Sequence, residues 1–143
     1  MLINFLLGLS MMVLCLFLQG MLVLAALRFL VKRAHKLHST FWLSMRVTAG
    51  MMFILIVGNI AQVIAWGTLF YGLGEFADYS QAVYHSAVNF ATLGYGDIVM
   101  SEKHELLGPL EALNGALMIG VSTAALSRAF SEVLKDHLPD KAL

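Results

Sequence analysis

The sequence predicts an all-α membrane protein: three membrane-crossing helices and one short helix that enters the bilayer and turns back. Three observations predict it. The chain of 143 residues is 59% hydrophobic and only 13% charged, where soluble domains carry about a quarter charged residues. It holds three apolar runs, each reaching the roughly 20 residues that cross a bilayer core as a helix. Between the second and third lies a further apolar stretch too short to cross, followed by a glycine-rich turn. Little chain is left for a separate soluble domain. The net charge of zero gives no electrostatic ground for a nucleic-acid partner.

The first span runs from about Leu2 to Leu27, with Asn4, Ser10 and Gln19 as polar breaks. It lacks the basic start and short core of a cleaved signal, so it reads as a retained helix. Cys15 lies within it as a small packing residue. A basic stretch comes next, with Arg28, Lys32, Arg33 and Lys36, then Arg46, interleaved with His35 and His38. Arg28, Lys32, His35 and Lys36 share one face at helical spacing, so the helix is expected to continue into the headgroups, where such side chains snorkel. Residues 1–40 thus form a helix and a basic loop. The second helix, 41–73, is apolar from Val47 to Tyr71, with Trp42 at one end and Trp66 and Tyr71 at the other as aromatic belts. Asn59 and Gln62 share a face inside it and read as interhelical glue. The third helix spans 105–130 and belongs with the second to one unit of 41–134. A short charged tail, 135–143, closes the chain.

Lys and Arg set the orientation. They crowd the loop between the first two spans and recur at Arg128, Lys135 and Lys141, whereas residues 72–105 hold only Lys103. The positive-inside rule puts the basic loop and C-terminus in the cytoplasm and the N-terminus outside, as three crossings require. A multi-pass protein of a plasma (inner) membrane is expected, with size and charge composition suggesting a prokaryotic one.

The segment between the second and third spans carries the chemistry. Asp78 and Gln81 have the spacing of a reciprocal helix cap. The helix they open, 79–91, is about 20 Å long and dips in rather than crosses. Non-helical backbone at that depth survives only inside protein or beside water. The return leg is Thr92-Leu93-Gly94-Tyr95-Gly96-Asp97. It resembles the Thr-Val-Gly-Tyr-Gly-Asp selectivity filter of the potassium channel superfamily. The arrangement as a whole resembles the small prokaryotic two-helix pores, with the first span as an addition. Rings of backbone carbonyls from four chains replace the water of a potassium ion, and aiming successive carbonyls at one axis needs positive φ, which Gly94 and Gly96 reach cheaply. The resemblance implies a homotetramer. It implies K+ held by Thr92, Leu93, Gly94 and Tyr95, with Gly96 completing the filter and Asp97 at its outer mouth.

Departures from the family pattern single out further residues. Leu93 stands where valine is usual, and Tyr84-His85 where many members carry two tryptophans. Val88 stands where some place a glutamate against the filter aspartate, which leaves Asp97 without that partner. His85 reads as a donor that braces the filter, and His104 as solvated decoration of an exposed loop. Glu111 is the acidic residue well inside a span. A helix starting at Gly108-Pro109 puts it in the first turn; one starting near Ser101 puts it behind the filter, in reach of the pore helix or of Tyr84-His85. Ala116, Gly120 and Ala124 form a small-residue stripe suited to close helix approach, and Gly120 is a candidate gating hinge. The expected function is passive, potassium-selective conduction by a self-assembled tetramer in lipid, without enzymatic activity or cofactor. A poorly selective cation channel and a non-conducting regulatory subunit are the alternatives.

Overall fold

The computed structural model describes residues 1–37 and 41–137. The loop residues 38–40, His38 among them, and the tail residues 138–143 lie outside the described residues. Those described form four helices, α1 (Leu2–Leu37), α2 (Phe41–Gly72), α3 (Tyr79–Phe90) and α4 (Leu107–His137), and no strand. Three stretches are long and apolar enough to cross a membrane: Leu2–Phe29, Met45–Gly72 and Leu107–Ser131. Helix α1 outlasts its apolar stretch and carries the basic residues up to Leu37, because nothing between Phe29 and Leu37 is a proline or glycine. Helix α4 begins at Leu107, two residues later than the sequence suggests. Residues 101–106 are taken up instead by turns, closed by the His104 amide on the Ser101 carbonyl and the Leu107 amide on that of His104.

Helix α1 packs on α2 and α4, and α3 is wedged against the same pair. One core cluster joins Cys15, Trp66, Phe70, Phe76, Ala82 and Leu107 from all four helices and the α2–α3 turn; a second, of Ala26, Val47, Met51 and Ala129, closes the far end of the bundle. Between the two lies a polar link. Gln62 Nε2 donates to Gln19 Oε1 at 2.7 Å, and Gln19 Nε2 donates to Ser122 Oγ at 2.7 Å. All three side chains are buried, so α1, α2 and α4 are tied in the apolar interior, where polar groups need partners inside the protein. The outer faces are apolar, with Phe17, Leu24, Phe53 and Ile60 exposed. That is the distribution a hydrocarbon solvent demands.

Two glycines set how closely α3 is held. A Cβ on Gly115 of α4 would overlap the Phe90 carbonyl oxygen, and one on Gly67 of α2 would come within 2.9 Å of the Val83 Cα. The neighbouring helices therefore touch the backbone of α3 from two sides.

Candidate ion-binding loop

Helix α3 starts with Asp78 as its N-cap in an extended conformation, φ −109° and ψ 134°. The reciprocal Asp78–Gln81 cap does not form: Asp78 makes no side-chain cap bond, and only its backbone carbonyl enters the helix, accepting from the Ala82 amide. Ala82, His85, Ser86, Val88 and Phe90 face inward. The helix closes at Ala91 with the Thr92 amide on the Asn89 carbonyl, 2.8 Å, and the Leu93 amide on the Val88 carbonyl, 2.9 Å. This is a Schellman cap, whose first residue past the helix end adopts the left-handed region and is usually glycine. Here it is Thr92, with φ +59°.

The left-handed conformation then recurs at every second residue. Gly94 has φ +59° and Gly96 φ +72°, while Leu93 and Tyr95 do not share it. Backbone that alternates between the two hands turns its amides to one side and, by the same geometry, its carbonyls to the other. The sequence predicts positive φ at the glycines; Thr92, as the first member of the series, is an addition that the sequence does not signal. Residues 91–97 are exposed in the single chain, Leu93 by 54% and Tyr95 by 66%.

The end of the loop and the residue after it are braced from α3. The Tyr84 hydroxyl donates to Asp97 Oδ2 at 2.7 Å. This bond raises the Tyr84 phenol above its ordinary pKa, since losing the proton would leave two anions face to face. Asp97 thus has a partner on α3 although Val88 supplies none. His85 Nδ1 lies 2.9 Å from the Ile98 carbonyl, and its Nε2 lies 2.9 Å from Asn89 Nδ2. A carbonyl only accepts and an amide nitrogen only donates, so Nδ1 carries the proton and the ring is neutral. Phe70 and Phe76 flank the ring, and burial favours the same neutral form, against the pull of the Ile98 carbonyl.

A family model described as ion channel matches residues 59–132, more than half of the chain. The chain belongs to the ion channel family. No curated protein and no solved structure matches it. The match to the channel family covers the second half of α2, all of α3, the loop and most of α4, and leaves α1 outside. With three membrane-crossing helices, the channel is a multi-pass membrane protein, and its family points to transport rather than catalysis.

Of two further residues, His104 departs from what the sequence predicts, and Glu111 meets α3, one of the two placements left open for it. His104 is buried rather than solvated, with Nδ1 2.5 Å from Glu75 Oε1. Glu75 also accepts from the Ser101 amide at 2.7 Å and the Ser101 hydroxyl at 2.8 Å. Burial alone would raise the Glu75 carboxyl, but these hydrogen bonds outweigh it and hold it below the ordinary value. They tie the end of α2 to the turns before α4, and Asn4 of α1 donates to the Lys103 carbonyl there. Glu111 is the fifth residue of α4, beyond the first turn, and its side chain is 0% exposed. It meets α3 at Ser86, its Oε1 2.5 Å from Ser86 Oγ; Tyr84 and His85 turn to Asp97 and Ile98 instead. In the stripe on α4, Ala116, Gly120 and Ala124 are exposed, and nothing lies within 4 Å of a Cβ built on Gly120. The stripe therefore faces away from the described residues of its own chain, and α4 runs through Gly120 as one helix.

Proposed function

We propose that four copies of this chain surround one axis and conduct potassium ions selectively, with residues 92–97 of each copy forming the filter. The alternation of left-handed backbone at Thr92, Gly94 and Gly96 carries the reading. One strand of carbonyls cannot enclose an ion; four around an axis replace its hydration shell. Thr92, Leu93, Gly94 and Tyr95 supply oxygens to the ion, Gly96 completes the turn of the filter, and Asp97 sits at the outer mouth, held by Tyr84. The C-terminal end of α3 bears about half a negative charge, and four such ends favour a cation beneath the filter. The exposed Leu93 and Tyr95, and the exposed face of α4 at Leu113, Leu117 and Val121, are surfaces that neighbouring copies would cover. The basic loop after α1 faces the cytoplasm and the filter faces outward.

Purified protein in liposomes is expected to pass rubidium or potassium well above sodium, with block by barium. Equal potassium and sodium flux would demote the chain to a poorly selective cation channel. No flux across the tested range of pH and calcium would make it a non-conducting subunit.

A further inference from the structure

The contacts around Ser86 do not balance if every carboxyl of the protein is ionised. Ser86 Oγ lies 2.7 Å from the Val63 carbonyl oxygen on α2 and 2.5 Å from Glu111 Oε1 on α4. A serine hydroxyl has one proton to donate, and a carbonyl only accepts. An ionised carboxylate also only accepts, so one of the two oxygen pairs would then face each other with no proton between them. Give the carboxyl a proton and both contacts become hydrogen bonds: Glu111 donates to Ser86, and Ser86 donates to Val63.

The surroundings point the same way. Glu111 is 0% exposed, and its second oxygen, Oε2, has no hydrogen-bond partner among the described residues. None of the cationic side chains among those residues stands against it. On α1 the nearest titratable group is the buried Cys15 thiol, itself beside Asn114 and Trp66. Helix α2 presents the Val63 carbonyl, which does not titrate. Helix α3 presents Ser86 and Asn89, whose neutral amide lies toward the carboxyl but short of a hydrogen bond to Oε2, with His85 committed to Ile98 and Asn89. On α4 itself the next titratable residue is Arg128, far along the helix. An ionised carboxylate buried without a cation or a full set of donors is strongly disfavoured.

We infer that Glu111 is a proton-binding site: a neutral carboxylic acid whose proton completes a relay from α4 through Ser86 of α3 to the Val63 carbonyl of α2. The site is enclosed by one chain's own helices, so it needs no partner copy, and it stands whether or not the pore selects potassium. Because α3 leads directly into residues 92–97, the bound proton is a ligand of the segment that supports the loop. Losing it at alkaline pH turns the one Ser86 proton to the carboxylate, sets Ser86 Oγ against the Val63 carbonyl as two acceptors, and loosens the tie of α3 to α2.

Infrared spectroscopy of the full chain in liposomes at neutral pH tests this without any flux measurement. A carbonyl band of a protonated carboxylic acid is expected in the wild type and absent in Glu111→Gln. Raising the pH is expected to remove the band and lower the thermal midpoint together. In Glu111→Gln, whose amide still offers Ser86 a proton, the midpoint is expected to stay flat over the same range. Ser86→Ala serves as the second variant: it removes the acceptor, so the acid band is expected to shift in frequency. Absence of the band at neutral pH, its persistence in Glu111→Gln, or an unshifted band in Ser86→Ala would each overturn the assignment.

Discussion

At the scale of single residues, the loop depends on backbone conformations that most side chains resist. Thr92 is β-branched and sits at φ +59°, a genuine outlier for its type. Such strain, of order 1–3 kcal/mol, persists only where the surroundings over-determine it. The Schellman bonds at Asn89 and Val88 hold it from one side and the Tyr84–Asp97 bond from the other. Two residues on, Gly94 needs the same conformation with nothing within 4 Å of a Cβ placed there, so a substitution meets backbone strain and not a clash with the described residues of its own chain. Left-handed backbone costs a non-glycine residue roughly 1–2 kcal/mol, and a tetramer would incur it four times around one narrow axis. Gly94→Ala is therefore expected to retain the helical content of the wild type while losing potassium-over-sodium selectivity in liposome flux. Unchanged selectivity would show that the ions do not pass residues 92–97.

Among the elements, α3 is positioned by what its neighbours lack. Helix α4 reaches the Phe90 carbonyl because residue 115 has no side chain, and α2 reaches Val83 because residue 67 has none. A Cβ that overlaps a backbone oxygen cannot be accommodated by turning a rotamer; one of the helices has to shift. Overpacking of this kind costs about 1–3 kcal/mol and occasionally more, and here it displaces the helix end on which the loop is built. Gly115→Ala is expected to lower the thermal midpoint of the purified protein and its folded yield. Gly20→Ala on α1, where an added Cβ meets nothing within 4 Å, is the control and is expected to melt like the wild type. Equal midpoints for all three proteins would mean that α3 and α4 do not approach this closely.

Across the whole molecule, the apolar lengths made the three crossings legible, and the Thr-x-Gly-Tyr-Gly-Asp string marked the loop, because both are local patterns of hydropathy and backbone preference. The partners of long-range contacts were not legible. Tyr84 does not announce Asp97, nor Glu75 its bonds to Ser101 and His104, since nothing in the spacing of such residues says which helices become neighbours. Gln19 is the clearest case: in sequence it is a polar break in an apolar run, and in the fold it joins three spans. That junction says what α1, outside the family match, does for the pore helices. Gln62 has α1 as its source of an acceptor, and Ser122 receives its hydrogen bond from the same side chain. Removing either glutamine leaves the other buried with an unmet polar group, a loss of about 1–3 kcal/mol, whereas removing both leaves an apolar contact. Gln19→Leu and Gln62→Leu are each expected to lower unfolding free energy in mixed micelles. The double variant is expected to lose less than the sum, with a coupling in the range of about 0.6–1.7 kcal/mol found between membrane helices. Strictly additive losses would mean that the two side chains do not meet, and that α1 is held to the pore helices by apolar packing alone.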